Sequence, residues 1–263
     1  MLFRSTNQKH VDLKNVLYLQ AEENFLEDYH EECYLLVLKE NFEQEKQRLL
    51  KPYSKKEKLQ TQFLFFKKNF LKEQNLNNVH IVAPDIAMPV ALHYVIHRNH
   101  SVKSLLVGDG PGILPSNDGS LIKKIVGSSF WRTMVRLNGV KTFIAGAIEL
   151  GYLHYSPTFN EIEDYIDSYS GRVGQLTAFF KQYTQGRKDL TDKIESIKLP
   201  VKVFWGDEDG FLKVENAHQL HSKLPKSSLH IFENCGHFCY QDQSSAFSNM
   251  IQNWVIQKQY SKV

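Results

Sequence analysis

The sequence predicts an α/β fold with a doubly wound, mostly parallel sheet and a helical insertion. Short apolar segments typical of strands alternate with amphipathic segments typical of helices up to residue 107, and the same alternation resumes at residue 199. Strands that are apolar along almost their whole length are typical of parallel sheets covered on both faces. Residues 109–197 interrupt this alternation with a helix-like stretch.

The order of the elements follows from these patterns. The predicted strands cover residues 15–20, 33–38, 78–83, 102–107, 199–205 and 228–232. The predicted helices of the alternating part cover residues 26–32, 55–73, 87–97, 214–224 and 244–257. We therefore predict a core built from residues 1–110 and 198–263, with a helical cap inserted at residues 111–197.

The cap is rich in aromatic residues, and its predicted position gives them a role. Open α/β sheets bind ligands outside the carboxyl ends of their strands, and a helical layer over that edge would enclose an apolar pocket. We therefore predict that Trp131, Tyr152 and Tyr155 line a substrate pocket. The alternative is that most of the cap aromatics only pack against one another.

Composition argues against several classes of protein. Lys and Arg (32) nearly balance Asp and Glu (29), and a net charge of +3 is no sign of nucleic-acid binding. The three cysteines form no CxxC pair, which predicts a reducing compartment and no structural zinc. We expect neither a metal nor a cofactor.

Membrane association is not predicted either. Residues 1–6 lack the apolar centre of a signal peptide, and no apolar run approaches the roughly 20 residues that span a bilayer. We therefore expect a cytoplasmic protein without a nucleic-acid or membrane partner. The sequence leaves its oligomeric state open.

Residues 78–92 contain the turn on which the predicted chemistry depends. An apolar, β-branched segment leads into Pro84 and Asp85, and an amphipathic helix follows. Pro84 holds Ala83 extended, and the small side chains of Ala83 and Ala87 permit a sharp strand-to-helix turn with Asp85 at its apex. The helix start directs N–H groups and a positive dipole end at the carboxylate. By itself, this pattern also fits an aspartate that only caps a helix.

Two further turns lie near the end of the chain. Trp205-Gly206-Asp207-Glu208-Asp209 completes one predicted strand, and Asn234-Cys235-Gly236-His237 follows the last one. Together with the turn at Asp85, these segments resemble the α/β-hydrolase-fold family, whose members place a nucleophile, an acid and a histidine after three such strands, in that order. The resemblance covers nearly the whole chain and implies the α/β-hydrolase fold.

The resemblance assigns a role to each of three side chains. Asp85 matches the nucleophile, Asp209 the acid and His237 the base of a catalytic triad. Asp207 is a second candidate for the acid. Asp109, which follows the strand at residues 102–107, occupies an acid position that some family members use, although it also fits a simple turn residue beside glycines.

An aspartate at the apex implies a particular reaction. A carboxylate, with an ordinary pKa of about 3.9, attacks without first losing a proton and forms an ester by displacement at saturated carbon. His237, oriented by Asp209, would then activate water to attack this ester, while the N–H groups of Ile86 and Glu22 form the oxyanion hole. This scheme resembles the epoxide hydrolase and haloalkane dehalogenase branches of the family.

Three departures from the family pattern bear on this assignment. Where family members have His-Gly after the strand at residues 16–19, this chain has Gln20-Ala21. The next residue is Glu22, and its carboxylate beside a forming oxyanion is unfavourable. Ile86 replaces the tryptophan that follows the nucleophile in dehalogenases and many epoxide hydrolases, and its side chain donates no hydrogen bond to a halide. The usual glycines of the turn are Ala83 and Ala87.

Two functions remain open from the sequence. The first is a hydrolase that uses Asp85 on a small apolar epoxide or alkyl halide, with epoxides favoured because cap tyrosines can polarise an epoxide oxygen. Those tyrosines are Tyr152, Tyr155, Tyr165 and Tyr169. The second is a catalytically silent relative that binds a small ligand or a protein. The altered segment at residues 20–22 favours binding, whereas the complete set of Asp85, Asp209 and His237 favours catalysis.

Overall fold

A computed structural model describes residues 16–20, 34–37, 79–97, 102–182 and 187–260 of the 263-residue chain. The predicted helices at residues 26–32 and 55–73 lie outside the described residues, as does Glu22. Every structural statement below refers to the described ranges.

The described strands form a single sheet in the order β2–β1–β3–β4–β5–β6. Their bounds are Val16–Gln20 (β1), Tyr34–Val37 (β2), Val79–Pro84 (β3), Val102–Gly108 (β4), Val201–Gly206 (β5) and Ser227–Phe232 (β6). Strand β2 runs antiparallel to β1, and every other neighbouring pair is parallel. The predicted α/β class with a mostly parallel sheet is confirmed.

Helices cover both faces of the sheet. Since successive side chains of a strand point to opposite faces, one strand contributes to the apolar clusters on both sides. Ile81 belongs to the apolar cluster on one face, where helix α1 (Ala87–His97) contributes Met88 and Leu92. Its neighbour Val82 belongs to the cluster on the other face, where the C-terminal helix contributes Trp254. This double covering explains why β3 is buried along its whole length.

The stretch between β4 and β5 is helical, as the sequence predicts. Its elements are α2 (Ser120–Gly127), α3 (Ser129–Gly151), α4 (Phe159–Tyr169), α5 (Val173–Gln182), α6 (Arg187–Lys193) and a 3₁₀ turn (Ile194–Ser196). Gly139, with a φ of 78°, interrupts α3, and α3 packs against both α4 and α5. The division of the chain into a core and a cap domain stays a prediction.

The remaining helices follow β5 and β6. They are α7 (Glu215–Lys223), α8 (Cys239–Asp242) and α9 (Ser244–Tyr260). Within the described ranges, no helix is both long enough and apolar enough to cross a membrane.

Candidate active site

Asp85 lies at the apex of the turn between β3 and α1, with a φ of +47°. Its N–H donates to the carbonyl of Gly108 at 2.9 Å, and its carbonyl accepts the N–H of Met88 at 2.9 Å. A residue that only caps a helix has extended dihedrals, whereas Asp85 is in the left-handed region, which costs roughly 1–2 kcal/mol for a residue with a Cβ. Strain of this kind is concentrated at functional sites.

The neighbouring backbone leaves little space around this turn. A Cβ on Gly110 would lie 2.1 Å from the carbonyl oxygen of Asp85, so only glycine fits at that position. Ala83 and Ala87, on either side of the apex, are completely buried. Alanine is therefore small enough at the two positions where the family pattern has glycine.

The structure brings together the three side chains that the sequence singled out. Nε2 of His237 lies 3.5 Å from Oδ1 of Asp85, and Nδ1 of His237 lies 2.8 Å from Oδ2 of Asp209. The other carboxylate oxygen of Asp209 accepts the N–H groups of Phe211 at 2.8 Å and Leu212 at 2.9 Å. These bonds fix the buried carboxylate of Asp209 and, through it, the orientation of the imidazole.

Two carboxylates control the charge of His237. Burial of the ring opposes its protonation, but Asp209, and after it Asp85, raise the pKa of His237 well above its ordinary value. The raised pKa favours the imidazolium, in which Nδ1–H donates to Asp209 and Nε2–H faces Asp85. In this state His237 is an acid, and it becomes a base only when one of the two negative charges is lost.

The structure also separates the competing candidates for the acid. Asp207 accepts the N–H of Cys235 at 3.1 Å and so holds the turn after β6. Asp109 is completely buried and accepts the N–H of Gly206 at 3.1 Å. Burial, followed by the nearby charge of Asp209, raises the pKa of Asp109 well above its ordinary value. Of the three aspartates, Asp209 is the one hydrogen-bonded to His237.

Two phenylalanines that the sequence analysis did not select pack against the imidazole. The rings of Phe211 and Phe238 lie edge-on to His237, with centroids 4.9 and 4.8 Å away. Phe238 also contacts the end of α3, where its N–H donates to the carbonyl of Gly151 at 3.2 Å. Their positions, two residues after Asp209 and directly after His237, are the signal by which the sequence could have identified them.

The predicted pocket residues make their own contacts within the insertion and with the turn after β6. Tyr152 packs on Phe238, and its hydroxyl donates to Gln241 at 2.5 Å. The hydroxyl of Tyr155 donates to Glu161 at 2.5 Å, and burial and this bond raise the pKa of Tyr155 to about 12. Trp131 is 38% exposed and has Phe130 and the ammonium of Lys124 as neighbours. Their role as pocket residues stays a prediction.

The predicted oxyanion hole is only partly within the described residues. Ile86 lies half-buried in the turn directly after Asp85 and directly before α1. Glu22 lies outside the described residues, so its predicted contribution stays a prediction. The side chain of Asp85 itself is 39% exposed, and the enclosed pocket predicted above it stays a prediction.

Comparisons with known proteins agree with this architecture. No protein-family model matches the chain. A curated relative in Cupriavidus pinatubonensis, named 2-hydroxy-6-oxononadienedioate/2-hydroxy-6-oxononatrienedioate hydrolase, is 23% identical over 198 residues, which are 72% of this chain and 65% of the relative. A relative of the same name in Burkholderia vietnamiensis is 29% identical over 33% of this chain and 31% of its own length. The chain thus spans less than two thirds of the length of either relative.

Solved structures resemble the fold more completely. An esterase from Exiguobacterium antarcticum superposes with a TM-score of 0.60 at 16% identity, covering 91% of each chain. A serine hydrolase from Cycloclasticus zankles gives 0.61 at 18% identity, covering 76% of this chain and 71% of its own. A meta-cleavage product hydrolase, solved as a point mutant, gives 0.55 at 13% identity, covering 79% of this chain and 75% of its own. These likenesses, together with the mostly parallel sheet, establish that the chain has the α/β-hydrolase fold.

Proposed function

We propose that the protein is a hydrolase in which Asp85 attacks a small apolar electrophile and forms an ester that water then cleaves. The observation that carries the proposal is the position of His237 between two carboxylates, 3.5 Å from Asp85 and 2.8 Å from Asp209. An epoxide is the favoured substrate class, and an alkyl halide is the second. The names of the relatives, which are hydrolases, support hydrolysis as the class of reaction.

In the first step, a carboxylate oxygen of Asp85 attacks a saturated carbon of the epoxide. A new C–O ester bond forms, the strained C–O bond of the ring breaks, and its electron pair goes to the departing oxygen. That oxygen needs a proton, and the nearest donor is the Nε2–H of the His237 imidazolium. Transfer of this proton leaves a neutral imidazole and a hydroxy ester on Asp85.

Formation of the ester changes the state of His237. Because the ester has no charge, one of the two groups that raise the pKa of His237 disappears. The neutral ring, still held by Asp209 through Nδ1–H, presents a free lone pair at Nε2. It is then ready to act as a general base.

In the second step, His237 takes a proton from water, and the hydroxide attacks the carboxyl carbon of Asp85. The N–H of Ile86 stabilises the resulting oxyanion. Collapse of this intermediate breaks the ester C–O bond and leaves Asp85 as a carboxylic acid. The departing alkoxide takes the proton of that acid, so that a diol leaves. Asp85 is again a carboxylate and His237 an imidazolium, and the net reaction adds one water to one epoxide.

The protonated His237 is the reason to favour epoxides over halides. A halide leaves as a stable anion and needs no proton, and Ile86 gives it no side-chain donor. An epoxide oxygen does need one, and the hydroxyls of Tyr152 and Tyr155 already donate to Gln241 and Glu161. The epoxide-opening acid is therefore His237 in this proposal, rather than Tyr152 or Tyr155.

A second candidate is a catalytically silent binding protein. The changed segment at residues 20–22 supports it, and so does the ion pair itself, because a carboxylate facing an imidazolium is a stable arrangement that requires no chemistry. The two candidates differ in one measurable property: only the hydrolase forms a covalent bond to Asp85.

Mass spectrometry of the His237→Ala variant tests the proposal. Incubated with an alkyl halide, this variant should accumulate an ester on the peptide that contains Asp85, because the halide needs no acid and the base that cleaves the ester is gone. With an epoxide, the corresponding hydroxy ester on Asp85 should form much more slowly than the alkyl ester forms with the halide. Asp85→Asn is the control and should give no adduct with either reagent.

The opposite result is equally specific. If no adduct forms on Asp85 in His237→Ala, and the parent protein hydrolyses no member of broad epoxide, halide and ester panels, the binding function replaces the hydrolase. Equal rates of adduct formation from epoxide in parent and variant would retain the nucleophile and remove His237 as the acid.

A further inference from the structure

A second group of polar side chains lies outside the candidate active site, between α1 and α6. His93 and His97 are one helical turn apart on α1, and Asp189 is in the first turn of α6, the last α-helix of the insertion. Residues at positions i and i+4 of a helix share one face. The two imidazoles therefore point to the same side, and the carboxylate of Asp189 meets them there.

The distances among these groups suit a common cation. Oδ2 of Asp189 lies 3.8 Å from Nδ1 of His93 and 3.7 Å from Nε2 of His97, and one ligand atom from each residue lies within 4.8 Å of the other two. Zinc bonds of about 2.0–2.1 Å in tetrahedral geometry place ligand atoms roughly 3.4 Å apart. Small side-chain rotations are enough to bring the three ligand atoms to that spacing.

One of the ligand atoms has an unexplained environment. Nδ1 of His93 is buried and has no hydrogen-bond partner among the described residues. A buried polar atom without a partner is uncommon in proteins, because it loses its bonds to water and gains nothing in return. A cation held between His93 and Asp189 would satisfy this nitrogen.

The charge of the cluster is also suitable. The carboxylate of Asp189 supplies negative charge, and each imidazole supplies a ring nitrogen of the kind that commonly binds metals. The group that opposes a cation here is Lys193, whose Nζ lies 2.6 Å from Oδ1 of Asp189. It contacts the oxygen that faces away from the histidines, and its side chain is half-exposed and free to turn into solvent.

We propose that His93, His97 and Asp189 bind a divalent transition-metal ion, with Zn²⁺ the best match and water as the fourth ligand. Two imidazoles and one carboxylate are ligands that zinc prefers, whereas magnesium and calcium prefer oxygen alone. The ion would join α1, the helix that begins directly after Asp85, to the end of the insertion. The site is independent of the proposed hydrolase activity.

Zinc titration of the full chain, first freed of metal with a chelator, tests this site by calorimetry. The parent protein should bind one Zn²⁺ at the site, and His97→Gln and Asp189→Asn should each weaken that binding by about tenfold or more. His218→Gln, which changes an exposed histidine on α7, should bind as the parent does. Mg²⁺ should not compete with Zn²⁺.

Two further measurements keep the test decisive. Zn²⁺ should raise the melting temperature of the parent and of His218→Gln but not of Asp189→Asn, since a ligand stabilises the state that binds it. Lys193→Gln should bind Zn²⁺ more tightly than the parent, because the competing ammonium is gone. Absence of binding by the parent, or equal affinity in the parent, His97→Gln and Asp189→Asn, overturns the proposal.

Discussion

The carboxylate of Asp242 accepts the backbone N–H of His154 at 2.7 Å. Asp242 ends helix α8, five residues after His237, and His154 lies just beyond α3. The same carboxylate accepts the N–H groups of Leu153, Tyr155 and Gly236. One side chain thus ties the end of the longest described helix of the insertion to the turn that carries His237.

Asp242→Asn should loosen this connection. The amide group has one acceptor oxygen where the carboxylate has two, and hydrogen bonds to a charged acceptor are among the stronger ones, so a loss of about 1–2 kcal/mol in the free energy of unfolding is expected. Urea denaturation measures it, with the exposed Asp164→Asn on α4 as the control. Equal stability of the two variants would show that the connection contributes nothing.

The contribution of Asp242 should also depend on pH in a defined direction. Burial by itself would raise the pKa of Asp242, but backbone N–H groups, led by that of Gly236, outweigh it and lower the pKa. A lowered pKa in the folded state gives stability that is present above the unfolded value and is lost as the pH falls through the folded value. The difference between parent and Asp242→Asn should therefore shrink in acid.

Asp109 should show the reverse pH dependence. Its pKa is raised, so the folded protein keeps a proton that the unfolded chain has lost, and the parent loses stability as the pH rises above about 4. Asp109→Asn has no such proton, and asparagine accepts the positive φ of 51° at this position. The variant should therefore gain in melting temperature relative to the parent as the pH rises above about 4.

Turnover should change little in the same variant. Because Asp209, and not Asp109, orients His237, turnover by Asp109→Asn should stay within about tenfold of the parent. A stability difference that does not change with pH would contradict the buried, protonated carboxyl group. A loss of activity as large as that of Asp209→Asn would assign Asp109 a direct part in orienting the base.

Sequence reasoning identified the three turns of the site because each turn depends on local rules. Asp85 and His237 follow apolar strands and have small residues beside them, and those features are visible in the printed chain. The family resemblance favoured Asp209 as the acid over Asp207 and Asp109, but the partners of those two carboxylates were not visible, since they depend on which backbone N–H each one meets. Asp207 meets that of Cys235, 28 residues away in sequence.

Other features were beyond sequence reasoning for the same reason. An apolar strand of four residues such as β2 fits a sheet in either direction, so its antiparallel pairing with β1 had to come from the structure. The bonds of Asp242 to residues 153–155 join positions 87 to 89 apart in the chain. Periodicity and turn motifs describe neighbours in sequence and carry no information about such pairs.

The charge of His237 can be measured without a known substrate. Asp209→Asn removes the group that most raises the pKa of His237, and Asp85→Asn removes a smaller contribution. NMR titration should show a fall in the pKa of His237 in both variants, with the larger fall in Asp209→Asn. An unshifted His237 in Asp209→Asn would contradict the ion pair.

The same shift has a consequence for stability. A histidine whose folded pKa is raised gives stability that is fully present below the unfolded pKa and is lost as the pH rises through the folded value. Both variants should therefore be less stable than the parent near about pH 6 and should approach it in alkaline solution. Asp209→Asn should in addition lower turnover by about 10³–10⁴-fold, because an amide facing Nδ1 favours the wrong tautomer.

The Asp85→Asn substitution distinguishes the hydrolase from the binding protein. Asparagine keeps the shape of the side chain and tolerates the φ of +47°, so the turn should survive while the nucleophile is lost. A carboxylate confined in an apolar pocket would gain stability from this change, because its desolvation would be relieved. The structure shows Asp85 to be 39% exposed and 3.5 Å from His237, so that relief should be absent.

We therefore expect Asp85→Asn to abolish turnover while losing no more than about 1 kcal/mol of stability, the upper range for a partly exposed ion pair. Turnover on an epoxide panel and urea denaturation near neutral pH measure the two quantities, and intact mass must first exclude slow deamidation back to aspartate. A pure binding protein would keep its ligand affinity nearly unchanged, because an amide fills the same space. Activity that survives the substitution undiminished would remove Asp85 as the nucleophile, and with it the ester on which the proposed hydrolysis depends.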